Sequence, residues 1–201
     1  MQTHQNLTLI TLSLSSFFLS FLTCTTAART QPQDLLHSSC TQARYPTLCV
    51  QTLSTYTGPT TTPLNLAQAA IKVSLAHART LSAYLNTLQL RQTSNKRQRL
   101  ALNDCAKQIS DSVDELSKTL SELQHLRMGT FEWQMSNAMT WASAALTNGD
   151  TCINGFSDGG DRTLVAEVKR KVTDVAMLTS NALYLIDRVG QRRSGKPRVN
   201  H

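Results

Sequence analysis

Cysteines are the residues of this 201-residue chain whose spacing most invites a chemical role. Cys40 and Cys49 flank a Tyr-Pro pair, and Cys105 and Cys152 follow much later. A structural zinc site usually needs C-x2-4-C spacing or added histidines, and a redox pair prefers C-x-x-C. Neither cysteine spacing occurs here, so the sequence predicts no metal and no cofactor. A fifth cysteine, Cys24, lies in the first 28 residues, and the four that follow are typical of structural disulfides.

Catalytic residue sets are equally hard to find. The histidines beyond the first 28 residues are scattered, at positions 37, 77, 125 and 201, and no H-x-x-x-H occurs. Asp111, Asp114, Glu115 and Glu122 share one segment with interleaved lysines. A solvated charged helix face explains this pattern better than a catalytic carboxylate pair does. The sequence therefore predicts a binding protein and not an enzyme.

The first 28 residues are typical of a cleaved secretory signal. They contain no Lys, Arg, Asp or Glu, and an apolar and hydroxylic run ends in Thr-Thr-Ala-Ala. A membrane anchor is the alternative, but the run is too short and too rich in Ser and Thr. We expect secretion without a membrane span in the mature protein. An oxidising compartment then favours two disulfides among the four remaining cysteines.

The charge balance is basic, with a formal net charge of +7. After Asp187 the chain contains only basic charges, and residues 191–201 are interpreted as a flexible basic tail. A disordered solvated end is one interpretation of this tail. Attraction to an acidic polysaccharide is the other, and nucleic acid is not expected outside the cell. The predicted polyanion contacts are Arg192, Arg193, Lys196 and Arg198.

Apolar residues recur at helical spacing in the segments 64–90, 99–127, 131–151 and 164–189. Such stripes predict amphipathic helices, and short loops between them predict an antiparallel, up-and-down four-helix bundle. The all-α domain is expected over 29–190, with a helical hairpin at about 33–56 and the bundle at about 61–189. Thr130 and Asp161 or Thr163 are candidate N-caps.

The same pattern favours one pairing of the cysteines. In an antiparallel helical hairpin, facing residues lie symmetrically about the turn. Cys40 and Cys49 are centred next to Tyr45-Pro46, and Cys105 and Cys152 are centred in the 127–130 turn. The predicted disulfides are therefore Cys40–Cys49 and Cys105–Cys152, since the crossed pairings have no such support.

Several segments together resemble the plant invertase/pectin methylesterase inhibitor family. Cys40-Thr41 with Tyr45-Pro46 and Cys49 resembles its opening motif. The segment Leu102–Leu116 resembles its L-x-D-C…D-A-V-D-x-L motif, and WASAALTNGDTCINGF at 141–156 resembles its tryptophan block. The resemblance covers most of residues 36–188 and implies a four-helix bundle with an N-terminal hairpin. It also implies disulfides between neighbouring cysteines.

The resemblance further implies an inhibitor of either pectin methylesterase or acid invertase. Invertase inhibitors of this family often carry Pro-Lys-Phe before the third bundle helix, and HLRMGTFEWQMSN at 125–137 contains no proline. We therefore expect a one-to-one complex with pectin methylesterase in the apoplast and cell wall, covering the pectin-binding cleft. Acid invertase is the alternative partner. A pectin-binding wall protein that acts through its basic tail is a further alternative.

The expected contact surface lies on the helices at 64–90 and 99–127. It comprises polar positions of the second of these helices that lie off its apolar stripe. They are Gln108, Asp111, Glu115, Lys118 and Glu122.

Overall fold

The computed structural model describes residues 31–90, 95–156 and 161–194. These ranges form the following α-helices: α1 (Gln31–Cys40), α2 (Pro46–Ser54), α3 (Pro63–Leu90), α4 (Lys96–Gln124), α5 (Phe131–Asn154) and α6 (Arg162–Ser194). A short 3-10 helix, Met128–Thr130, precedes α5. The predicted signal sequence at 1–28 lies outside the described residues. No helix within the described ranges has an apolar stretch long enough to cross a bilayer.

Helices α3 to α6 form a closed ring in which each helix packs on its sequence neighbours and α6 returns to α3. The core contains aliphatic side chains from all four helices, including Leu66, Leu85, Leu116, Ala138 and Val172. These positions follow the helical spacing of the sequence, which removes the apolar stripe of each helix from water. The predicted four-helix bundle is confirmed.

Local signals fix where the helices begin. Pro46 and Pro63 stand at the first position of α2 and α3, where the missing N–H has no helical partner to lose. The Asn95 side chain accepts a hydrogen bond from the Gln98 N–H at 3.1 Å. Asp161 Oδ1 accepts from the N–H groups of Thr163 and Leu164, so Asp161 is the cap of α6.

The N-terminal hairpin, α1 with α2, lies against α3 and α6. Asn181 of α6 is only 3% exposed and forms two hydrogen bonds with the hairpin turn. Its Oδ1 accepts from the Tyr45 N–H and its Nδ2 donates to the Tyr45 carbonyl, both at 2.9 Å. A disulfide joins Cys40 to Cys49 within the hairpin, and a second joins Cys105 of α4 to Cys152 of α5. These are the pairs that the turn positions favour.

The structure corrects two details of the sequence interpretation. Helix α6 continues to Ser194, so residues 191–194 are helical and do not belong to a flexible tail. The Arg193 guanidinium lies 4.3 Å from the centroid of the Phe131 ring, and this contact stabilises the last turn. Thr130 precedes α5 but makes no capping hydrogen bond, because its hydroxyl donates to Gln134 Oε1 at 3.0 Å.

Candidate partner-binding face

The five polar positions predicted on α4 form one continuous row. Their spacing of three or four residues places them along the same edge of the helix. Lys118 is exposed and the other four are half-buried. The row consists of Gln108, Asp111, Glu115, Lys118 and Glu122.

This row borders α5 and not α3. Asn137 of α5 donates from Nδ2 to Glu122 Oε1 at 3.0 Å. One turn earlier, the Lys118 ammonium lies 4.5 Å from the centroid of the Trp141 ring. We name the row together with Asn137 and Trp141 the α4–α5 face. The contact surface predicted from the sequence lies on α3 and α4, and the contacts of Glu122 and Lys118 show that the polar row of α4 borders α5.

Buried contacts and a disulfide join α4 and α5 beneath this face. The Ser112 and Thr119 hydroxyls donate to carbonyls of their own helix at 3.0 Å and 2.9 Å, and they also lie 3.2 Å and 3.4 Å from the carbonyl oxygens of Ala145 and Ala138. The Cys105–Cys152 disulfide closes the distal end of the same pair of helices. A partner therefore meets a preorganised surface, which lowers the entropy lost on binding.

Glu115, at the centre of the row, has an unsatisfied carboxylate oxygen. Its Oε2 atom is buried and has no hydrogen-bond partner, a state that only Gln98 Nε2 shares among the side chains of the described residues. Buried carboxylate oxygens are nearly always hydrogen-bonded, because desolvation without a partner is costly. Because Glu115 as a whole is half-buried, turning its side chain outward would bring this oxygen to a donor of a docked protein, so the α4–α5 face can gain hydrogen bonding on complex formation.

The opposite side of the bundle, between α3 and α6, carries the hairpin. Beside α2 lies a groove of about 390 Å³, lined by His77 of α3 and Asp174 and Met177 of α6 among others. Asp174 Oδ2 accepts from Arg170 Nη1 at 3.1 Å, so its carboxylate serves an ion pair within α6. No cluster of three or more His, Cys, Asp or Glu suited to a metal occurs in the described ranges.

One short sequence pattern resembles a catalytic motif but lies at the end of a helix. Residues 155–159 read Gly-Phe-Ser-Asp-Gly, which matches the G-x-S-x-G of serine hydrolases. That motif acts at a sharp turn between a strand and a helix. Gly155 instead follows the last turn of helix α5, and Ser157 lies outside the described residues. The pattern therefore lacks the strand on which its chemistry depends.

Of the four predicted polyanion contacts, two lie within α6 and two follow its last residue in the sequence. Arg192 and Arg193 lie in its last turn and are exposed. Arg193 contacts Phe131 and donates to the Met128 sulfur, so the last turn of α6 meets the turn between α4 and α5. Lys196 and Arg198 lie outside the described residues.

Comparison with known proteins identifies the family. Residues 34–185 match the family model described as plant invertase/pectin methylesterase inhibitor. The chain therefore belongs to the plant invertase/pectin methylesterase inhibitor family, as its motifs predict. Because this is a family of enzyme inhibitors, the protein is an inhibitor and not an enzyme.

Relatives in this family are similar along most of their length. The chain is 50% identical over 175 residues to Pectinesterase inhibitor 3 of Arabidopsis thaliana, covering 84% of this chain and 85% of that protein. It is 38% identical over 182 residues to Pectinesterase inhibitor 9 of the same plant, covering 85% and 88%. A 21 kDa protein of Daucus carota is 35% identical over 176 residues, covering 85% and 91%.

Solved structures support the fold. The crystal structure of a pectin methylesterase inhibitor from Arabidopsis thaliana matches with a TM-score of 0.55 at 18% identity, covering 82% of this chain and 97% of that one. A mutant form of an Arabidopsis inhibitor matches with a TM-score of 0.60 at 18% identity, covering 76% and 95%. At this identity the likeness shows a shared fold alone.

Proposed function

We propose that this protein is a secreted inhibitor of pectin methylesterase that binds the enzyme through the α4–α5 face. The observation that carries the proposal is the 50% identity to Pectinesterase inhibitor 3 across 84% of this chain. Such similarity over almost the whole length of both proteins favours a shared target. The apoplast and cell wall are the compartment proposed for the complex, in keeping with the signal-like start of the chain.

The mechanism that we propose is exclusion of substrate. A rigid bundle laid across the pectin-binding cleft blocks entry of the polymer without any chemistry by the inhibitor. A specific complex of this kind buries about 1,600 Å² in total. The α4–α5 face offers the features that such an interface needs. It has a half-buried polar row, an aromatic ring at Trp141 and a carboxylate oxygen of Glu115 that lacks a donor.

Glu115 has the central role in this proposal. Once the Glu115 side chain turns outward, a donor from the enzyme, such as a guanidinium or a backbone N–H, would pair with its Oε2. Bonds to charged groups are stronger than neutral ones, and exclusion of water by the surrounding contacts strengthens them further. Gln108, Asp111, Lys118 and Glu122 would then form polar contacts on either side of this bond.

A titration against two enzymes tests the proposal. The oxidised protein is added in steps to a plant pectin methylesterase, followed by proton release at mildly acidic pH, and to a plant acid invertase, followed by glucose release. We expect esterase activity to fall to a one-to-one endpoint while invertase activity is unchanged. Inhibition of invertase alone would overturn the proposed target, and inhibition of neither enzyme would overturn the proposed activity.

A further inference from the structure

Exposed apolar side chains and arginines are placed together at one end of the bundle. Met128 is 82% exposed and Trp133 is 65% exposed, and both belong to the α4–α5 turn or the first turn of α5. Arg127 precedes Met128 on the same turn, and Arg193 arrives from the last turn of α6 to contact Met128. We name Arg127, Met128, Trp133, Arg192 and Arg193 the turn end. It adjoins the α4–α5 face, because Trp133 lies one turn before Asn137 on the same edge of α5.

Buried Gln134 holds this turn in one conformation. The side chain is 7% exposed, and its Oε1 accepts from the Arg127 N–H at 2.8 Å and from the Thr130 hydroxyl at 3.0 Å. Its Nε2 donates to the His125 carbonyl at 2.9 Å. These bonds link both sides of the turn to the first turn of α5. The exposed side chains of the turn end are therefore carried by a preorganised backbone.

The charge of the turn end is positive. Arg127, Arg192 and Arg193 are exposed, and Glu132 is the one carboxylate in the sequence 125–133. Glu132 is the sequence neighbour of Trp133 and lines the groove between α5 and α6 together with Asp187. No acidic residue follows Asp187 in the sequence. Arginine forks bind carboxylates through two parallel hydrogen bonds, so this end suits a ligand with repeated carboxylates.

An exposed tryptophan at the same end of the bundle as these arginines adds a second requirement to the ligand. Its ring offers a flat apolar surface with an N–H at its edge, which suits a partner that is apolar on one face and polar at its rim. The ring of a sugar has this character, and a uronic acid adds the carboxylate. Both features of the turn end are thus met by one chemical class, the carboxylated polysaccharides.

We propose that the turn end is a binding site for a polyuronate chain, with Trp133 stacked on a sugar ring and Arg127, Arg192 and Arg193 paired with carboxylates. This site rests on the proposed function only for the source of the polymer, because pectin methylesterase releases free carboxylates on pectin. An inhibitor with this site is retained where the esterase has already acted. The basic tail predicted from the sequence then adds to this site, but the site does not depend on it.

The test measures binding of the full oxidised protein to a calcium-free oligogalacturonate by calorimetry, with fully methyl-esterified oligomer as the neutral probe. Arg127→Gln with Arg193→Gln should weaken binding about tenfold, because two charge-assisted contacts are removed. Trp133→Ala should weaken it about fivefold. The matched control is Arg97→Gln with Arg99→Gln, which makes the same charge change in the first turn of α4. This control should weaken binding about twofold at most, through net charge alone.

Three results would overturn the proposal. Equal loss of affinity in both arginine pairs would mean that net charge alone attracts the polymer. Loss of binding on truncation after Ser194, with the variants unaffected, would assign binding to the tail. If Trp133→Ala weakens esterase inhibition but leaves oligogalacturonate binding intact, the turn end is an enzyme contact. Thermal unfolding of each variant verifies that it is folded, and the esterase titration separates failure of this site from failure of the proposed inhibitor function.

Discussion

The two long sides of the bundle differ in what covers them. Between α3 and α6, the surface is already covered in part by the hairpin, and buried Asn181 ties that hairpin down through the Tyr45 backbone. Between α4 and α5, the polar row lies uncovered, with an unsatisfied oxygen at Glu115. The Asn181 side chain is thus paired within the chain on one side, whereas the Glu115 Oε2 on the other side has no donor. The comparison separates changes that should affect folding from changes that should affect inhibition.

The largest expected effect comes from the disulfide beneath the α4–α5 face. Cys105→Ser with Cys152→Ser opens a loop of 47 residues in sequence separation. Loop entropy predicts a loss of about 4 kcal/mol in the free energy of unfolding, measured by urea denaturation. The matched control, Cys40→Ser with Cys49→Ser, opens a short loop and should lose about 2.7 kcal/mol. A greater loss from the hairpin pair would contradict this order.

The hydrogen bonds of Asn181, which join the hairpin to the bundle, should give the next largest effect on stability. Asn181→Ala removes two hydrogen bonds and leaves the Tyr45 N–H without a partner, while the Tyr45 carbonyl keeps its bond from the Cys49 N–H. The free energy of unfolding should fall by about 2 kcal/mol. Asn137→Ala, at the other face, removes one half-buried bond to Glu122 and should cost about 0.5 kcal/mol. If denaturation shows that Asn137→Ala is the more destabilising change, Asn181 is not the residue that holds the hairpin to the bundle.

Glu115 should affect inhibition and not folding. Glu115→Gln removes a charge whose buried oxygen has no partner in the free protein, so thermal stability should stay the same or rise. Loss of a charged bond to the enzyme should weaken inhibition about tenfold in a pectin methylesterase assay. Asp174→Asn, on the opposite side of the bundle, is the control and should inhibit normally. Normal inhibition by Glu115→Gln would remove this residue from the interface.

The smallest expected effect comes from a comparison of two lysines, each of which lies over an aromatic ring. Lys118 lies over Trp141 on the α4–α5 face, and Lys171 lies over Tyr84 between α6 and α3, at 4.5 Å and 4.8 Å from the ring centroids. Each change to alanine should cost about 0.5 kcal/mol of stability. Only Lys118→Ala should weaken inhibition, by about threefold, as expected for an exposed interface charge. Equal inhibition by the two variants would show that the enzyme does not contact this part of the face.

Much of the fold could be predicted from the sequence because helical spacing is a local property. The apolar positions of α3, such as Leu75, Ala78 and Leu85, are buried as their periodicity indicates. The disulfide pairs followed from the turn positions alone. The end of α6 was set too early, at residue 190, because the polar sequence Gln191-Arg192-Arg193 resembles a tail. In the structure Arg193 of this turn contacts Phe131, a tertiary contact that no local pattern reveals.

Tertiary features were harder to predict from the sequence. The polar row of α4 is visible in its spacing, but spacing does not tell which neighbouring helix the row borders. Its position beside α5 became clear only from the contacts of Glu122 and Lys118. Asn181 and Gln134 were missed for a different reason. Each is a polar residue at a buried position of its helix, a signal present in the sequence, yet its partners are backbone groups of a separate turn.

The most direct test of the account is a carboxylate footprint of the complex with pectin methylesterase. Free and enzyme-saturated inhibitor are labelled with carbodiimide and glycine ethyl ester, and modification is read for each residue by mass spectrometry. The account predicts that Asp111, Glu115 and Glu122 become protected while Glu167 and Asp174 of α6 react as in the free protein. Protection of Glu167 and Asp174 with unchanged labelling along α4 would contradict it, because the enzyme would then occupy the side of the bundle that carries the hairpin.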